Sequence, residues 1–339
     1  MRRRTFFAAL AASAALPALL RPGRMRSGDP SVITLAGAGP EGRWFQETAL
    51  FGKILTREIA GLTVNGVLGK GVSVGNIKRI AARAVEGGRF YLFDLENAHA
   101  NRDQFATGDY TDVQVWMKLG THLFRVIAEK GIERFSDLKG KTVAIGVKGA
   151  GDDLLALRIL GGYGIDESNT DFQFVGRGDG QEALANGQID AIAYAYARNN
   201  RGHLGPIFAA RRLGEEVDFV APDADRNAAF LAANPTFFLD ALGEPDFERP
   251  ALEGIAFYQG MAIHGDVPDA LVYRMTRSIF EHWPEVLASA PWWDAPGEAS
   301  LESAPAITTL PYHAGAQRYY QERGVWERHH AATPRAEPS

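Results

Sequence analysis

Short apolar runs alternate with amphipathic stretches along most of this 339-residue chain, and this alternation constrains the fold more than any other feature. Residues 32–36 and 62–68 resemble strands, and between them apolar residues recur at helical spacing over 51–59. A second helix is predicted to begin with Ser73 as its N-cap and to lead into a strand over 90–95. Such alternation is typical of an α/β fold in which helices cover a largely parallel sheet.

The alternation restarts in the second half, where strands are predicted at 142–147, 189–196 and 255–264. With 46% apolar residues, the chain is long enough for two cores of ordinary size. We therefore predict two lobes. Their ranges are residues 29–128 plus 260–326 for lobe one and 129–259 for lobe two, with strands near 121–128 and 259–264 as the connection and 327–339 as a disordered tail.

Residues 1–28 are predicted to be an export signal. Three arginines at positions 2–4 precede the uncharged stretch 6–20, which is shorter than the roughly 20 residues of a spanning helix. Arg3 and Arg4, followed by Thr5, Phe6 and Phe7, fit the twin-arginine pattern, although ordinary secretory signals also begin with positive charge. The sequence is compatible with both the twin-arginine and the ordinary secretory route, and also with a signal that remains uncleaved as an anchor.

Composition excludes several functions. The chain has no cysteine, which excludes disulfides, thiolate catalysis and cysteine-ligated metals. Residues 29–339 contain 30 basic and 41 acidic residues, so a nucleic-acid partner is not expected. A negative surface repels anionic ligands at long range, and an anion must therefore be held by helix N-termini or by an individual arginine.

Three predicted strand-to-helix junctions are rich in glycine, at residues 37–42, 69–76 and 146–152. In an open parallel sheet these junctions border the same crevice, where glycine lets backbone N–H groups approach a carboxylate or a phosphate. The simpler interpretation is that the glycines only shape tight turns. If the junctions bind a ligand, the candidate residues are Gly42, Ser73, Asn76, Gly149, Ala150, Gly151 and Asp152.

Two enzyme interpretations were considered. The first junction matches the G-x-G-x-x-G dinucleotide pattern, but the next strand lacks the acidic residue that holds a ribose. The segment 71–75 matches a nucleophile elbow centred on Ser73, with His264 or His313 as a hypothetical base of a serine hydrolase. A role for Ser73 as a helix cap and as a hydrogen-bond donor to a ligand fits the sequence better than a role as a nucleophile. The histidines have no metal-site spacing, and we expect neither a metal nor a cofactor.

Over residues 31–326 the chain resembles the TAXI-type solute receptors of TRAP transporters. The resemblance is carried by the order and spacing of short motifs. These are residues 42–45, 71–76, 135–141 with 143–146, 186–191, 311–316, 318–320 and 322–324.

The resemblance implies a type II periplasmic binding protein fold, in which two lobes of mostly parallel sheet are joined by a two-strand hinge. It also implies a cleft for a small carboxylate or amino acid and transfer of that ligand to the permease subunits of a TRAP transporter, without an enzymatic step. A ligand sensor that presents the same cleft to a signalling partner is the alternative.

The chain departs from the family pattern within the expected site. Arg43 replaces a small hydroxyl residue, Gln46 replaces a proline, and residues 149–152 replace a loop with serine and threonine. Arg43 can pair bidentately with a carboxylate, with Trp44 or Phe45 as an apolar wall.

Two further positions are candidate ligand contacts. Asp94 occupies a position that the resemblance assigns to an uncharged ligand contact, and its carboxylate can bind an ammonium group. If both Arg43 and Asp94 line the cleft, an amino acid fits better than a dicarboxylate. Tyr194 and Tyr196 point to the same face of a strand, and Tyr196 is the better cleft candidate.

Overall fold

The computed structural model describes residues 31–40, 43–149, 151–197, 216–242, 252–293 and 298–330. Within them lies an α/β fold whose helices pack on a ten-stranded sheet. The predicted export signal, Gly42, Ala150 and residues 331–339 lie outside the described residues.

The strands are numbered in chain order. They are β1 (Ser31–Ala36), β2 (Leu62–Val67), β3 (Gly87–Tyr91), β4 (Val113–Glu129), β5 (Thr142–Ala144), β6 (Asp171–Gln173), β7 (Ala191–Ala197), β8 (Val217–Val220), β9 (Phe237–Leu242) and β10 (Leu252–His264).

The helices in the described ranges are numbered likewise. They are α1 (Arg43–Glu58), α2 (Val72–Ala81), α3 (Leu92–His99), α4 (Asp152–Gly162), α5 (Arg177–Ala185), α6 (Ala224–Ala233), α7 (Asp269–Glu281), α8 (Trp283–Ser289), α9 (Ala314–Glu322) and α10 (Glu327–His330).

The sheet is mixed, with strand order β2-β1-β3-β10-β4-β7-β5-β6, and with β8 on β4 and β9 on β10. β1 is parallel to β2 and β3, and β5 is parallel to β6 and β7. The central strands β4 and β10 are antiparallel to each other. In addition, β10 pairs antiparallel with β3 and β9, and β4 pairs antiparallel with β7 and β8. The predicted α/β fold is confirmed, and the sheet is parallel at its two ends rather than throughout.

Strands β4 and β10 connect the two ends of the sheet. Residues 259–263 of β10 pair with β3, whereas residues 252–257 pair with β9. The β4–β10 register shifts between Gln259 and Gly260, where Gly120 of β4 has a φ of 145°. Such an irregularity bends a strand pair locally. The division of the chain into two lobes stays a prediction.

Apolar periodicity explains the long helices. Phe51, Ile54 and Leu55 form the buried face of α1, and Gly61 follows it with a φ of 78°. Helix α7 begins after Pro268 and buries Leu271 among other apolar residues, as the sequence predicts.

The local structure differs from the sequence predictions in several places. Residues 92–95 belong to α3 rather than to a strand, because a short, fully buried apolar run has no periodicity that separates helix from strand. Strands β8 and β9 were missed. Residues 327–330, assigned to the disordered tail, form α10, whose His330 ring stacks on Trp326 at 3.7 Å between centroids.

None of the helices in these ranges combines the length and the apolar character needed to cross a membrane.

Candidate ligand-binding cleft

A cavity of about 530 Å³ lies between α3 and α4. Helix α3 follows β3 in one parallel end of the sheet, and α4 follows β5 in the other. The cavity is therefore bounded by elements from both ends of the molecule. Its lining residues are Phe93, Asp94, Asn97, Arg102, Asp103, Gln104, Leu154 and Arg158.

Asp94, a predicted contact, lies in the first turn of α3 and lines this cavity, rather than ending a strand as expected. Its side chain is buried at 3% exposure. Oδ1 accepts a hydrogen bond from Gln104 Nε2 at 3.3 Å, and Oδ2 has no hydrogen-bond partner among the described residues. Burial raises the pKa of Asp94 to about 7, although the Ser73 hydroxyl and the Arg158 charge favour the ionised form.

Arg158 enters the cavity from α4. Its Nη1 lies 3.9 Å from Asp103 Oδ2, and its Nε donates to Asn234 Oδ1 at 2.9 Å. The guanidinium also lies 6.0 Å from the ring centroid of Phe237. These contacts hold one arginine at the cavity while leaving it partly accessible to solvent.

Trp44 and Tyr91 form an aromatic contact at the centre of the molecule. Their ring centroids lie 4.8 Å apart, and both side chains are buried, whereas Phe45 is half-buried. Burial raises the pKa of Tyr91, and the charges of Asp152 and Arg177 also act on this group. The hydroxyl of Tyr91 thus lies within electrostatic reach of residues that follow β5 and β6.

Arg43 is half-buried at the start of α1. Burial lowers the pKa of Arg43, and the nearby carboxylates of Glu47 and Glu298 oppose this effect. Arg43 does not line the cavity between α3 and α4. The structure therefore does not bring Arg43 and Asp94 together on that cavity.

Ser73 and Asn76 connect elements of the fold. Gly71, with a φ of 70°, precedes α2 as its N-cap, so the prediction that Ser73 caps this helix is wrong. Instead, Ser73 Oγ accepts the backbone N–H of Tyr91 at 2.8 Å. Asn76 Nδ2 donates to the carbonyls of Gly37 at 2.8 Å and Arg89 at 3.0 Å. Both side chains thereby tie α2 to neighbouring strands.

The loop before α4 directs two of its amides to a neighbouring side chain. The N–H groups of Gly149 and Gly151 donate to the carboxylate of Asp153 at 2.7 and 3.1 Å. Both glycines have positive φ, 76° and 108°, which explains why this loop needs glycine. These two amides are occupied by the protein itself and are not presented to an anion.

Asp152 and Tyr196 are both associated with Arg177. Arg177 Nη2 lies 3.1 Å from Asp152 Oδ2, and the guanidinium lies 5.0 Å from the ring centroid of Tyr196 and 5.7 Å from that of Tyr194. Both tyrosines are buried. Arg177 thus stacks near two rings that the sequence assigned to one strand face.

The sequence model of the NMT1-like family matches residues 35–324. The chain belongs to the NMT1-like family.

Several solved structures share a distant likeness with this NMT1-like chain. The periplasmic aliphatic sulphonate binding protein SsuA from Escherichia coli is 11% identical, with a TM-score of 0.45 over 90% of this chain and 100% of that one. The periplasmic binding protein BugD is 15% identical, with a TM-score of 0.48 over 88% and 96%. The GluR0 ligand-binding core from Nostoc punctiforme, in complex with L-glutamate, is 13% identical, with a TM-score of 0.42 over 78% and 97%.

The geometry of this NMT1-like protein gives no support to a serine hydrolase. Ser73 is 1% exposed and engaged by Tyr91 N–H. The two histidines considered as bases make other contacts: His264 Nδ1 accepts Asp266 N–H at 3.1 Å, and His313 Nδ1 accepts Gly315 N–H at 3.1 Å. The residues that the structure describes contain no cluster of histidine, aspartate and glutamate suited to a metal ion.

The sequence interpretation missed Arg89, a fully buried arginine of β3. Its Nη2 lies 3.1 Å from Glu47 Oε2 and donates to Gln259 Oε1, and the guanidinium lies 5.1 Å from the ring centroid of Trp44. Burial lowers the pKa of Arg89, and Glu47 opposes this effect. The available signal was a lone charge beside the strand-like run 90–91.

Arg158 was missed as well, because α4 was interpreted only as a helix. Leu154 and Arg158 are four residues apart and therefore share a helix face. Both line the cavity. The sequence pattern could have shown that they point together, but not that Asp94 lies on the same cavity.

Proposed function

We propose that this protein is a periplasmic solute-binding receptor that captures a small carboxylate or amino acid for a TRAP-type membrane transporter. The observation that carries the proposal is the cavity between α3 and α4, where Asp94 and Arg158 bring opposite charges from the two parallel ends of the sheet. A concave site with a few charged groups and apolar walls such as Phe93 and Leu154 is suited to a small polar ligand. No covalent step is required.

The lobes are proposed to close around the ligand. Strands β4 and β10 connect the two parallel ends, and the register shift between Gln259 and Gly260, opposite Gly120, supplies a place for bending. A ligand that contacts both α3 and α4 binds best when these helices are close together and therefore shifts the population toward the closed form.

Export and the transporter partner rest on the sequence. The arginines at positions 2–4 and the uncharged stretch that follows indicate export, and the lack of cysteine is compatible with an oxidising compartment. The resemblance to TAXI receptors points to a TRAP permease. Uptake of ligand by proteoliposomes that contain such a permease, with and without this protein, tests the partner.

Thermal unfolding of the mature protein against a panel of carboxylates, sulfonates, amino acids and nucleotides tests the binding function. A ligand at about 100 times its dissociation constant stabilises the folded state by roughly 2.7 kcal/mol. We expect one carboxylate or amino acid to raise the unfolding temperature, and Arg158→Ala to abolish the rise. The matched control is Arg277→Ala, which removes an exposed arginine paired with Glu281 and should keep it. Absence of a rise with every carboxylate and amino acid rejects the proposal.

A further inference from the structure

Asp94 and Arg158 face one cavity from α3 and α4 without forming an ion pair with each other. Arg158 pairs with Asp103 instead, and the Asp94 carboxylate interacts with Gln104 Nε2 through a long hydrogen bond and with the Ser73 hydroxyl. The charge of Arg158 nevertheless acts on the Asp94 carboxyl group. The two groups therefore line one cavity without a direct ion pair, and its volume of about 530 Å³ is sufficient for a small ligand.

The hydrogen bonding of the Asp94 carboxylate is incomplete. Oδ2 is buried and has no hydrogen-bond partner among the described residues, on a side chain that is 3% exposed. A buried carboxylate without donors is costly, and both positive charge and N–H donors reduce this cost. An ammonium group supplies both, whereas a ligand hydroxyl supplies one hydrogen bond and no charge.

We propose that the ligand of this cleft is an α-amino acid, with its ammonium group on the Asp94 carboxylate and its carboxylate on Arg158, and not a 2-oxo acid or a dicarboxylate. This inference rests on the proposed receptor function. The lining contains the acids Asp94 and Asp103 and the arginines Arg102 and Arg158, which together suit a ligand with no net charge. A second carboxylate on the ligand would meet Asp94 or Asp103.

Binding is expected to release protons. Burial raises the pKa of Asp94 to about 7, where Arg158 and Ser73 favour the ionised form and Asp152 and Asp103 disfavour it. A ligand ammonium needs the ionised carboxylate. Binding at pH 7 should therefore release about half a proton per amino acid, and affinity should fall as the pH drops below 7.

Isothermal titration at pH 8 with matched ligand pairs tests the proposal. The pairs are L-alanine and pyruvate, L-leucine and 4-methyl-2-oxopentanoate, and L-phenylalanine and phenylpyruvate, with succinate as the dicarboxylate. For at least one pair we expect the amino acid to bind at least about 100-fold more tightly than its oxo acid, because the oxo acid brings neither a positive charge nor an N–H donor to the Asp94 carboxylate. Titration of that amino acid at pH 7, in buffers with different ionisation enthalpies, measures the released protons.

Asp94→Asn keeps the shape of the side chain and removes its charge. We expect it to weaken binding of the preferred amino acid at least about 100-fold and to abolish the preference over the oxo acid. The matched control is Asp225→Asn, which alters an exposed aspartate in the first turn of α6, outside the cavity, and should change affinity by less than about tenfold.

The outcomes separate the two proposals. Equal or tighter binding of the oxo acids or succinate, or an Asp94→Asn variant that keeps the preference for the amino acid, overturns the amino-acid assignment and leaves the receptor function standing. Failure of these ligands to bind, together with the absence of a rise in unfolding temperature with every carboxylate and amino acid of the wider panel, overturns the receptor function and the amino-acid assignment with it.

Discussion

The hydroxyl of Ser73 accepts the backbone N–H of Tyr91 at 2.8 Å and thereby joins α2 to the end of β3. Tyr91 is the last residue of β3, and α3 begins immediately after it. The bond therefore fixes the point from which α3 carries Asp94 toward the cavity. A motif that resembles a nucleophile elbow is used here as a structural support.

Ser73→Ala should destabilise the protein by about 1 kcal/mol, since the buried N–H of Tyr91 loses its acceptor. Urea unfolding measures the change. Ser168→Ala, which alters an exposed serine in a turn, is the control and should cost less. A fluorophosphonate probe should not label the wild-type protein; labelling at Ser73 would reopen the hydrolase interpretation.

Gly75→Ala should be more damaging than its helical position suggests. A Cβ atom at residue 75 would lie 1.5 Å from the carbonyl oxygen of Lys70, so the backbone has to move. We expect a loss of about 2 to 3 kcal/mol in urea unfolding. Gly161→Ala in α4 meets no atom within 4 Å and should instead stabilise by about 0.5 kcal/mol. Equal effects at the two sites would contradict this explanation.

Arg89→Met should destabilise the protein by about 3 kcal/mol, because it removes the cation from the buried pair with Glu47 at 3.1 Å. The double variant Glu47→Gln with Arg89→Met removes both charges. It should be more stable than Arg89→Met alone by at least about 1 kcal/mol in urea unfolding. A double variant that only adds a further loss would show that the pairing of charges is not what Arg89 contributes.

Asp94→Asn should stabilise the protein without ligand, and increasingly so at higher pH. The folded-state pKa of Asp94 is raised to about 7 from an ordinary value of 3.8. Between these values the folded state binds a proton that the unfolded state does not, so the free energy of unfolding of the wild type falls as pH rises, until the loss is complete above pH 7. The difference in free energy of unfolding between Asp94→Asn and the wild type should grow by about 2 to 3 kcal/mol from pH 5 to pH 8.

Urea unfolding of the wild type and Asp94→Asn at both pH values measures this growth, with Asp225→Asn, at an exposed position in the first turn of α6, as the control. An advantage that stays constant between pH 5 and pH 8 would show that Asp94 is ionised throughout this range.

Apolar periodicity predicted the helices that are buried on one face and exposed on the other. The apolar face of α1 and the spacing of Leu271 and Ile279 in α7 are local patterns, and folding buries these apolar residues on one side of each helix. Residues 92–95 gave no such signal, because α3 is buried on several sides. Strands β8 and β9 depend on pairing with β4 and β10, which are distant in sequence.

The sequence by itself determined the α/β class and the glycine-bearing turns, because strand and helix periods and the backbone demands of glycine are local properties. The tertiary structure decided what those residues do. The Asp153 carboxylate accepts hydrogen bonds from the amides of Gly149 and Gly151. Asp94 is buried without a full set of hydrogen-bond donors, and Arg158 lines the same cavity as Asp94 from another helix. Hydrogen bonding and desolvation depend on neighbours that the chain brings together only when it folds.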